Sequence, residues 1–379
     1  MFIEDLGWHD YFAAAWNEQD RADCVPARVI LQQRGMWRVA GEFGERWATA
    51  SGKLRRAAQD GADWPAVGDW VGLELLDRRA RSDENGEGAG WPATNRGEPT
   101  RALLQGVLPR RSRFVRKEAG KRIAEQVIAA NVDTAVIVTA LDGDCNLRRI
   151  ERYMAQTWES GARPVVVLNK ADACTDVEAR AAAVGAITMG APLCVVSAKT
   201  GQGMDALAAS FRKGETLVFL GSSGVGKSTL VNRLLHEDKQ ATAAVRESDR
   251  RGRHTTTARE LFVLPSGAMV IDTPGLRELQ LWEAGEGVAE TFADIEELAA
   301  QCRFRDCSHA SEPGCAVRQA LEEGALDPGR LESRRKLERE EEFLLRKMDP
   351  EKQHEYRKRI KILFRAIRQD VQSRNKDKQ

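Results

Sequence analysis

The chain has no run of about 18 uncharged apolar residues, so no segment is expected to cross a bilayer as a helix. It has almost no net charge: 58 Lys+Arg stand against 57 Asp+Glu over 379 residues, a balance of +1. Taken as a total, that balance gives no sign of a nucleic-acid or membrane partner and favours an ordinary enzyme. The opening MFIEDLGWHDYFAAAWNEQD lacks a basic start and an apolar core, which argues against a secretory signal. Seven cysteines, an odd number, argue against a disulfide framework and place the chain in the reducing cytosol. Disorder is excluded by an apolar content of 42%. No internal repeat is present. The length implies two or three domains, because one core seldom grows past about 250–300 residues.

Four regions follow from the pattern. Residues 1–24 form an acidic extension, with six acids against Arg21. Residues 25–108 read as a small β-barrel, from the short alternating runs ARVILQQ, WRVAG, RWATASGKL and DWVGLEL. Residues 82–100, rich in Gly, Asn and Glu, interrupt it as a flexible loop. Residues 109–289 alternate strand and helix. TAVIVTA, PVVVLNK, PLCVVSA, TLVFLG and AMVIDTP are apolar without alternation, as in a parallel sheet covered on both faces. This predicts a doubly wound α/β domain. Residues 290–379 are helical, with a Cys/His cluster and a charged tail.

GSSGVGKST matches G-x-x-x-x-G-K-[ST] between a strand and a helical run. Its residues Gly221, Ser222, Ser223, Gly224, Val225, Gly226, Lys227, Ser228 and Thr229 are candidate phosphate contacts. In such a loop backbone N–H groups wrap the phosphates, Lys227 reaches the β/γ-phosphates and the Ser228 hydroxyl ligates Mg²⁺. The loop alone does not separate ATP from GTP. NKAD does: the Asp172 carboxylate can accept from N1–H and the 2-amino group of guanine, donors adenine lacks at that edge. Asn169 can bond the base edge, the Lys170 stem can lie over the ring, and Ala171 counts with them as a nucleotide-binding candidate. Ser197, Ala198 and Lys199 form a second base-side element, with the Ala198 N–H available to the guanine carbonyl. DTPG supplies Asp272 for Mg²⁺, through water, and the Gly275 N–H for the γ-phosphate. Between loop and DTPG lies the polar segment RRGRHTTTARE, where Thr255, Thr256 or Thr257 would complete the Mg²⁺ shell. Which threonine ligates stays open, as does a plain strand start.

The order NKAD, SAK, phosphate loop, Thr run, DTPG is circularly permuted relative to ordinary GTPases. It leads the segment after DTPG directly into the C-terminal region. With VGDWV, VLPRRSRFVRK, AANVD, NKAD, SGVGKST, GRHTTT, DTPG and the cysteine cluster, the chain resembles the bacterial small-ribosomal-subunit-dependent GTPases, the RsgA family. The resemblance covers nearly the whole chain. It implies an N-terminal OB-fold, a permuted P-loop GTPase and a helical zinc-binding domain. It also implies late maturation of the 30S subunit, with GTP hydrolysis to GDP and phosphate stimulated by that subunit. Residues 1–24 and 82–100 match no shared motif.

Leu276 occupies the place where many GTPases carry a water-orienting glutamine, and an aliphatic side chain cannot orient water. His254 is the in-chain candidate for that role, as the resemblance also suggests; the alternative is an exposed loop residue or RNA contact. The catalytic candidates are therefore His254, Lys227, Thr256 and Thr257. Cys302, Cys307, His309 and Cys315 supply three thiols and an imidazole within fourteen residues, a standard Cys₃His set for one structural Zn²⁺. The remaining cysteines read as small hydrophobes.

Charge is segregated rather than absent. PRRSRFVRKEAGKR (109–122) holds seven bases and one acid, and 352–379 holds ten bases and three acids. Both read as RNA-facing surfaces, the second as a basic helix with an apolar stripe at Ile360, Leu363, Phe364 and Ile367, and the resemblance implies 16S rRNA as that RNA. The expectation is a monomeric cytoplasmic protein whose partners are GTP/GDP and the 30S subunit, with no membrane partner. Two alternatives stand beside it: a P-loop ATPase or kinase, and an RNA-binding protein with a regulatory or vestigial nucleotide site.

Overall fold

The computed structural model describes residues 2–18, 23–33, 35–76, 101–117, 125–143, 145–236, 259–272 and 285–348. The acidic start is a packed element. A 3₁₀ turn, Ile3–Leu6, leads into helix α1, Asp10–Asn17. Leu6 and Phe12 are buried, and Trp8 lies edge-on to Trp70 of the barrel, with 4.7 Å between centroids.

Strands β1 (Val25–Gln33), β2 (Met36–Gly41), β3 (Gly44–Ala50), β4 (Trp70–Leu75) and β5 (Arg101–Val107) close in the order β1-β2-β3-β5-β4, with β4 returning to β1. Only β3 and β5 run parallel. This is the five-stranded barrel path of an OB-fold. RWATASGKL was expected as one strand, but it ends at Ala50. The Ser51 hydroxyl accepts from the Leu54 N–H at 3.1 Å and caps helix α2 (Gly52–Ala57), so the second half turns helical.

A hairpin of β6 (Arg113–Lys117) and β7 (Glu125–Ala130) joins the barrel to the α/β domain. There β8 (Thr134–Ala140), β9 (Arg163–Asn169), β10 (Leu193–Val195), β11 (Thr216–Leu220), β12 (Arg259–Val263) and β13 (Met269–Asp272) lie in the order β10-β9-β8-β11-β13-β12. All but β12 are parallel. Every residue of β8 is buried, which is why its sequence shows no alternation. Antiparallel β12 begins within the stretch read as polar. It pairs with β1 of the barrel, Gln32 opposite Arg259, so barrel and α/β sheet form one continuous sheet. Helices α3 (Leu147–Ser160), α4 (Val177–Gly185), α5 (Met204–Ala209) and α6 (Lys227–Leu235) follow their strands.

Arg28 fastens these parts together. Its guanidinium donates to the carbonyls of Leu6, Gly68 and Asn131 and to Thr216 Oγ1, reaching the N-terminal turn, the barrel and the α/β sheet at once. Burial pushes it down to about 10, offset in part by Asp133 and Asp69. VGDWV is structural in the same way. Gly68 has φ +95°, and a Cβ there would lie 2.1 Å from the Ala130 carbonyl oxygen, so no other residue fits. Buried Asp69 takes a two-pronged ion pair from Arg110, at 2.7 and 2.8 Å.

Helices α7 (Gly285–Thr291), α8 (Ala293–Ala299), α9 (Ala316–Glu322) and α10 (Pro328–Met348) form the C-terminal unit. Its core of Val288, Phe292, Ile295, Val317 and Leu331 includes Ala155 of α3, so the unit is seated on the α/β domain. Arg330 joins the two: it bonds Glu151 of α3 at 3.0 Å and Asp294 at 2.7 Å, and lies 4.9 Å over the Phe292 ring. No helix of the described residues is long and apolar enough to cross a membrane.

Candidate functional site

The phosphate loop leaves the C-terminal end of β11 and enters α6 at Lys227. Gly226 has φ +96°, and a Cβ there would stand 2.3 Å from Asn169 Nδ2, so close approach of the base-side turn requires glycine. Lys227 Nζ donates to the carbonyls of Gly221 and Ser222, both at 2.6 Å, and so lies over the loop. Val225 is buried, while Ser223 and Gly224 are exposed at the loop's crest. Ser222, Ser228 and Thr229 are half-buried around the helix N-terminus, the end that favours anions.

The base-side turns close against this loop. Asn169, at the end of β9, is 2% exposed. Its Nδ2 donates to the Val225 carbonyl at 2.8 Å, and its Oδ1 accepts from the Ala198 N–H at 3.0 Å. Each end of this amide makes one bond to the protein, which leaves its second Nδ2 hydrogen for the base edge, and the N–H expected to face guanine is engaged by Asn169. Lys170 takes φ +63° and pairs with Asp142 at 2.6 Å. The exposed Asp172 carboxylate accepts from Ser197 Oγ at 2.6 Å. Ala171 is buried beneath them, and Lys199 is exposed at the rim. Asp272 ends β13, opposite Glu260 of β12. His254, Thr255, Thr256, Thr257, Gly275 and Leu276 lie outside the described residues, as do 82–100 and 352–379.

Two residues at the site were missed from sequence. Arg149 of α3 donates to Ser222 Oγ at 3.1 Å, and Arg233 of α6 donates to the carbonyls of Ala198 and Lys199 at 3.0 and 2.9 Å. For Arg149 the only signal was the Arg pair in NLRR, which any solvated helix start could carry; Arg233, within STLVNRLLHE, gave none. The basic stretch 109–122 is also partly spoken for: Arg110 is paired with Asp69, Arg111 with Asp133 and Arg113 with Glu125.

Cys302, Cys307, His309 and Cys315 converge, with all four ligand atoms within 4.8 Å of one another. The Cys302 and Cys315 sulfurs are 3.8 Å apart. That is the edge of a tetrahedron with metal–sulfur bonds of about 2.3 Å. His309 Nδ1 lies 3.6 and 3.4 Å from the same two sulfurs. Burial would raise the Cys302 thiol, but backbone N–H groups of Val317 and Ala316 at the start of α9 outweigh it and favour the thiolate. Cys307 is pushed up to about 11 by burial, with the neighbouring thiols adding to it. Such a donor set fits one tetrahedral metal ion.

A parallel sheet with its base-side turns ahead of the phosphate loop and DTPG behind it, between an OB barrel and a Cys₃His cluster, defines a circularly permuted GTPase. The sequence model of the RsgA GTPase family matches residues 107–282. The small ribosomal subunit biogenesis GTPase RsgA of Opitutus terrae is 47% identical over 97% of each chain. That of Syntrophotalea carbinolica is 46% identical over 88% of each. Among solved structures, YjeQ from Thermotoga maritima is similar with a TM-score of 0.58 at 25% identity, covering 83% of this chain and 97% of that one. YloQ, described as a circularly permuted GTPase, shares the fold with a TM-score of 0.55 at 23% identity, covering 84% of this chain and 95% of that one. The chain belongs to the RsgA GTPase family.

Proposed function

We propose that this chain hydrolyses GTP to GDP and phosphate on the small (30S) ribosomal subunit, as a step in that subunit's late maturation, in contact with its 16S rRNA. The observation that carries the nucleotide reading is the bridge from Asn169 to both Val225 and Ala198, which closes guanine-side and phosphate-side elements into one pocket wall. The subunit as partner is supported by the names of relatives that match along nearly the whole length.

In this reading Asp172, oriented by Ser197, accepts the two guanine N–H donors, with the Lys170 stem over the ring. Asn169 braces the pocket and offers its second Nδ2 hydrogen to the base edge. The loop Gly221–Thr229 cradles the phosphates, Lys227 swings from the loop carbonyls onto the β/γ-phosphates, and Ser228 and Asp272 hold the Mg²⁺ that accompanies GTP. Gly275 senses the γ-phosphate, Thr255, Thr256 or Thr257 completes the metal shell, and His254 orients the attacking water. The Cys₃His cluster holds Zn²⁺ in a structural role, since four protein ligands leave no open position. The protein acts as a cytoplasmic monomer, divided at 1–24, 25–108, 109–289 and 290–379.

Hydrolysis of γ-labelled GTP under single-turnover conditions, with and without purified 30S subunits, tests this reading. Stimulation by the 30S but not the 50S subunit, with GDP bound far more tightly than ADP, is expected. Equal rates with and without the subunit would refute it.

A further inference from the structure

A cavity of about 470 Å³ opens where the barrel meets the β6–β7 hairpin, lined by none of the nucleotide or metal candidates. Its volume falls within the roughly 300–1,000 Å³ usual for small-ligand sites. Trp37 at the start of β2 and Trp64 in the loop after α2 form one wall. Their indoles stack in parallel, with 6.0 Å between centroids and 3° between planes. Trp37 is buried, and its Nε1 donates to the Pro65 carbonyl at 2.8 Å, which locks the pair. Trp64 is half-buried. A rigid aromatic wall of this kind stacks any planar base.

The adjoining surface gathers guanidinium groups on one side, while Asp60 and Asp63 on the Trp64 loop accept backbone N–H bonds of that loop. Arg259 donates to Gln32 Oε1 at 3.2 Å and to Gln126 Oε1 and the Val127 carbonyl at 3.3 Å, so it backs three residues of the cavity lining. Arg116 Nε donates to the same Gln126 oxygen at 3.0 Å. Two guanidinium groups thus share one neutral amide oxygen, and among the described residues no carboxylate pairs with either. Burial and the charge of Arg116 push Arg259 down to about 10, as befits a cation lacking a counter-charge. Arg55, exposed on α2, adds a third cation at the rim.

We propose that this cavity binds one unstacked nucleotide of single-stranded RNA, its base against Trp64 and its phosphate at Arg55 on the rim, with Arg259 and Arg116 adding charge from behind the Gln32 and Gln126 lining. The position of Arg259 gives the site a consequence, which rests on the subunit-dependent reading above. Arg259 opens β12, two residues past Thr257, and the next residue, Glu260, lies opposite Asp272. A phosphate held over Gln32 and Gln126 attracts Arg259 through that lining, and so acts on the strand that connects both Mg²⁺-side elements. Occupancy of the cavity is therefore a trigger for stimulated turnover.

The test titrates full-length protein with a fluorescently labelled single-stranded octaribonucleotide and with its duplex form. The single strand should bind more tightly, and Trp64→Ala should weaken it on the order of tenfold. Trp64→Phe keeps a stacking face and should restore binding, which separates stacking from folding. Arg55→Ala, at an exposed position, should reduce the salt dependence by about one phosphate contact. Fluorescent GDP affinity and basal hydrolysis should be unchanged in all three variants, while Trp64→Ala loses stimulation by 30S subunits. Wild-type affinity for the single strand in Trp64→Ala would overturn the proposal. So would lost 30S stimulation with oligonucleotide binding intact, which would assign the cavity to a protein segment of the subunit. Absence of stimulation in the wild type would refute the subunit-dependent reading instead, and the oligonucleotide titration would still decide the cavity.

Discussion

Asn169 Nδ2 lies 2.8 Å from the carbonyl oxygen of Val225, so the residue that ends the base-side strand is hydrogen-bonded to the middle of the phosphate loop. Base recognition and phosphate binding are therefore not independent in this protein. Removing the bridge leaves a buried carbonyl and the Ala198 N–H without their partner, at a cost of about 1–3 kcal/mol. Asn169→Ala should weaken GTP and GDP binding roughly tenfold to a hundredfold at about 1.4 kcal/mol per decade. Titration with a fluorescent GDP analogue checks this; an unchanged Kd would show that the bridge does not shape the pocket.

Asp172 offers the contrasting case, an exposed carboxylate held by Ser197 at 2.6 Å. Asp172→Asn replaces one acceptor with a donor facing the guanine N–H groups. The preference for GDP over ADP should collapse while the fold stays intact, as competition binding and a thermal melt would show together.

His254→Ala should lower 30S-stimulated turnover by about 10²–10⁴-fold if the imidazole assists the attacking water. GTP affinity should remain nearly intact. Stimulated turnover at the wild-type rate would remove His254 from the mechanism.

Purified protein should contain one zinc per chain, and Cys307→Ser should lose it. Cys302, Cys307 and Cys315 pack into or against the apolar core built on Phe292 and Ile295, so metal loss should loosen the C-terminal unit and expose it to protease. Metal content near zero in protein purified without chelators would defeat the assignment.

Arg330→Ala should destabilise the protein by about 3–5 kcal/mol, because it strips a buried ion pair of its cation. Asp294 and Glu151 hold the Arg330 guanidinium charged despite its burial. Arg148 at 2.6 Å would still partly compensate Glu151, placing the loss toward the lower end of that range. Urea denaturation of the full chain measures it. A change below about 1 kcal/mol, the level of an exposed pair, would show that this junction contributes little.

Much of the molecule is legible in the chain because its signals are local. Consecutive apolar residues announced β8, β9, β11 and β13, since strands buried on both faces admit nothing else. The phosphate loop, NKAD and the cysteine spacing are each short enough for backbone geometry to fix side-chain positions within a few residues. Their order alone revealed the permutation. Local signals also misled: the basic stretch at 109–122 looked like a free RNA face, yet three of its arginines answer acids 12 to 41 positions away in the chain.

What only the tertiary structure decided concerns pairs far apart in sequence. Nothing in residues 1–24 says that Leu6 and Trp8 pack on the barrel, or that Arg28 would bond to Thr216, 188 positions away. Nothing in RRGRHTTTARE says that Arg259 would pair beside Gln32 and join barrel to GTPase sheet. Local motifs carry the chemistry because phosphate and metal binding need only a few adjacent groups. The wiring between domains rests on desolvated long-range contacts, whose worth depends on burial, and burial exists only once the chain has folded.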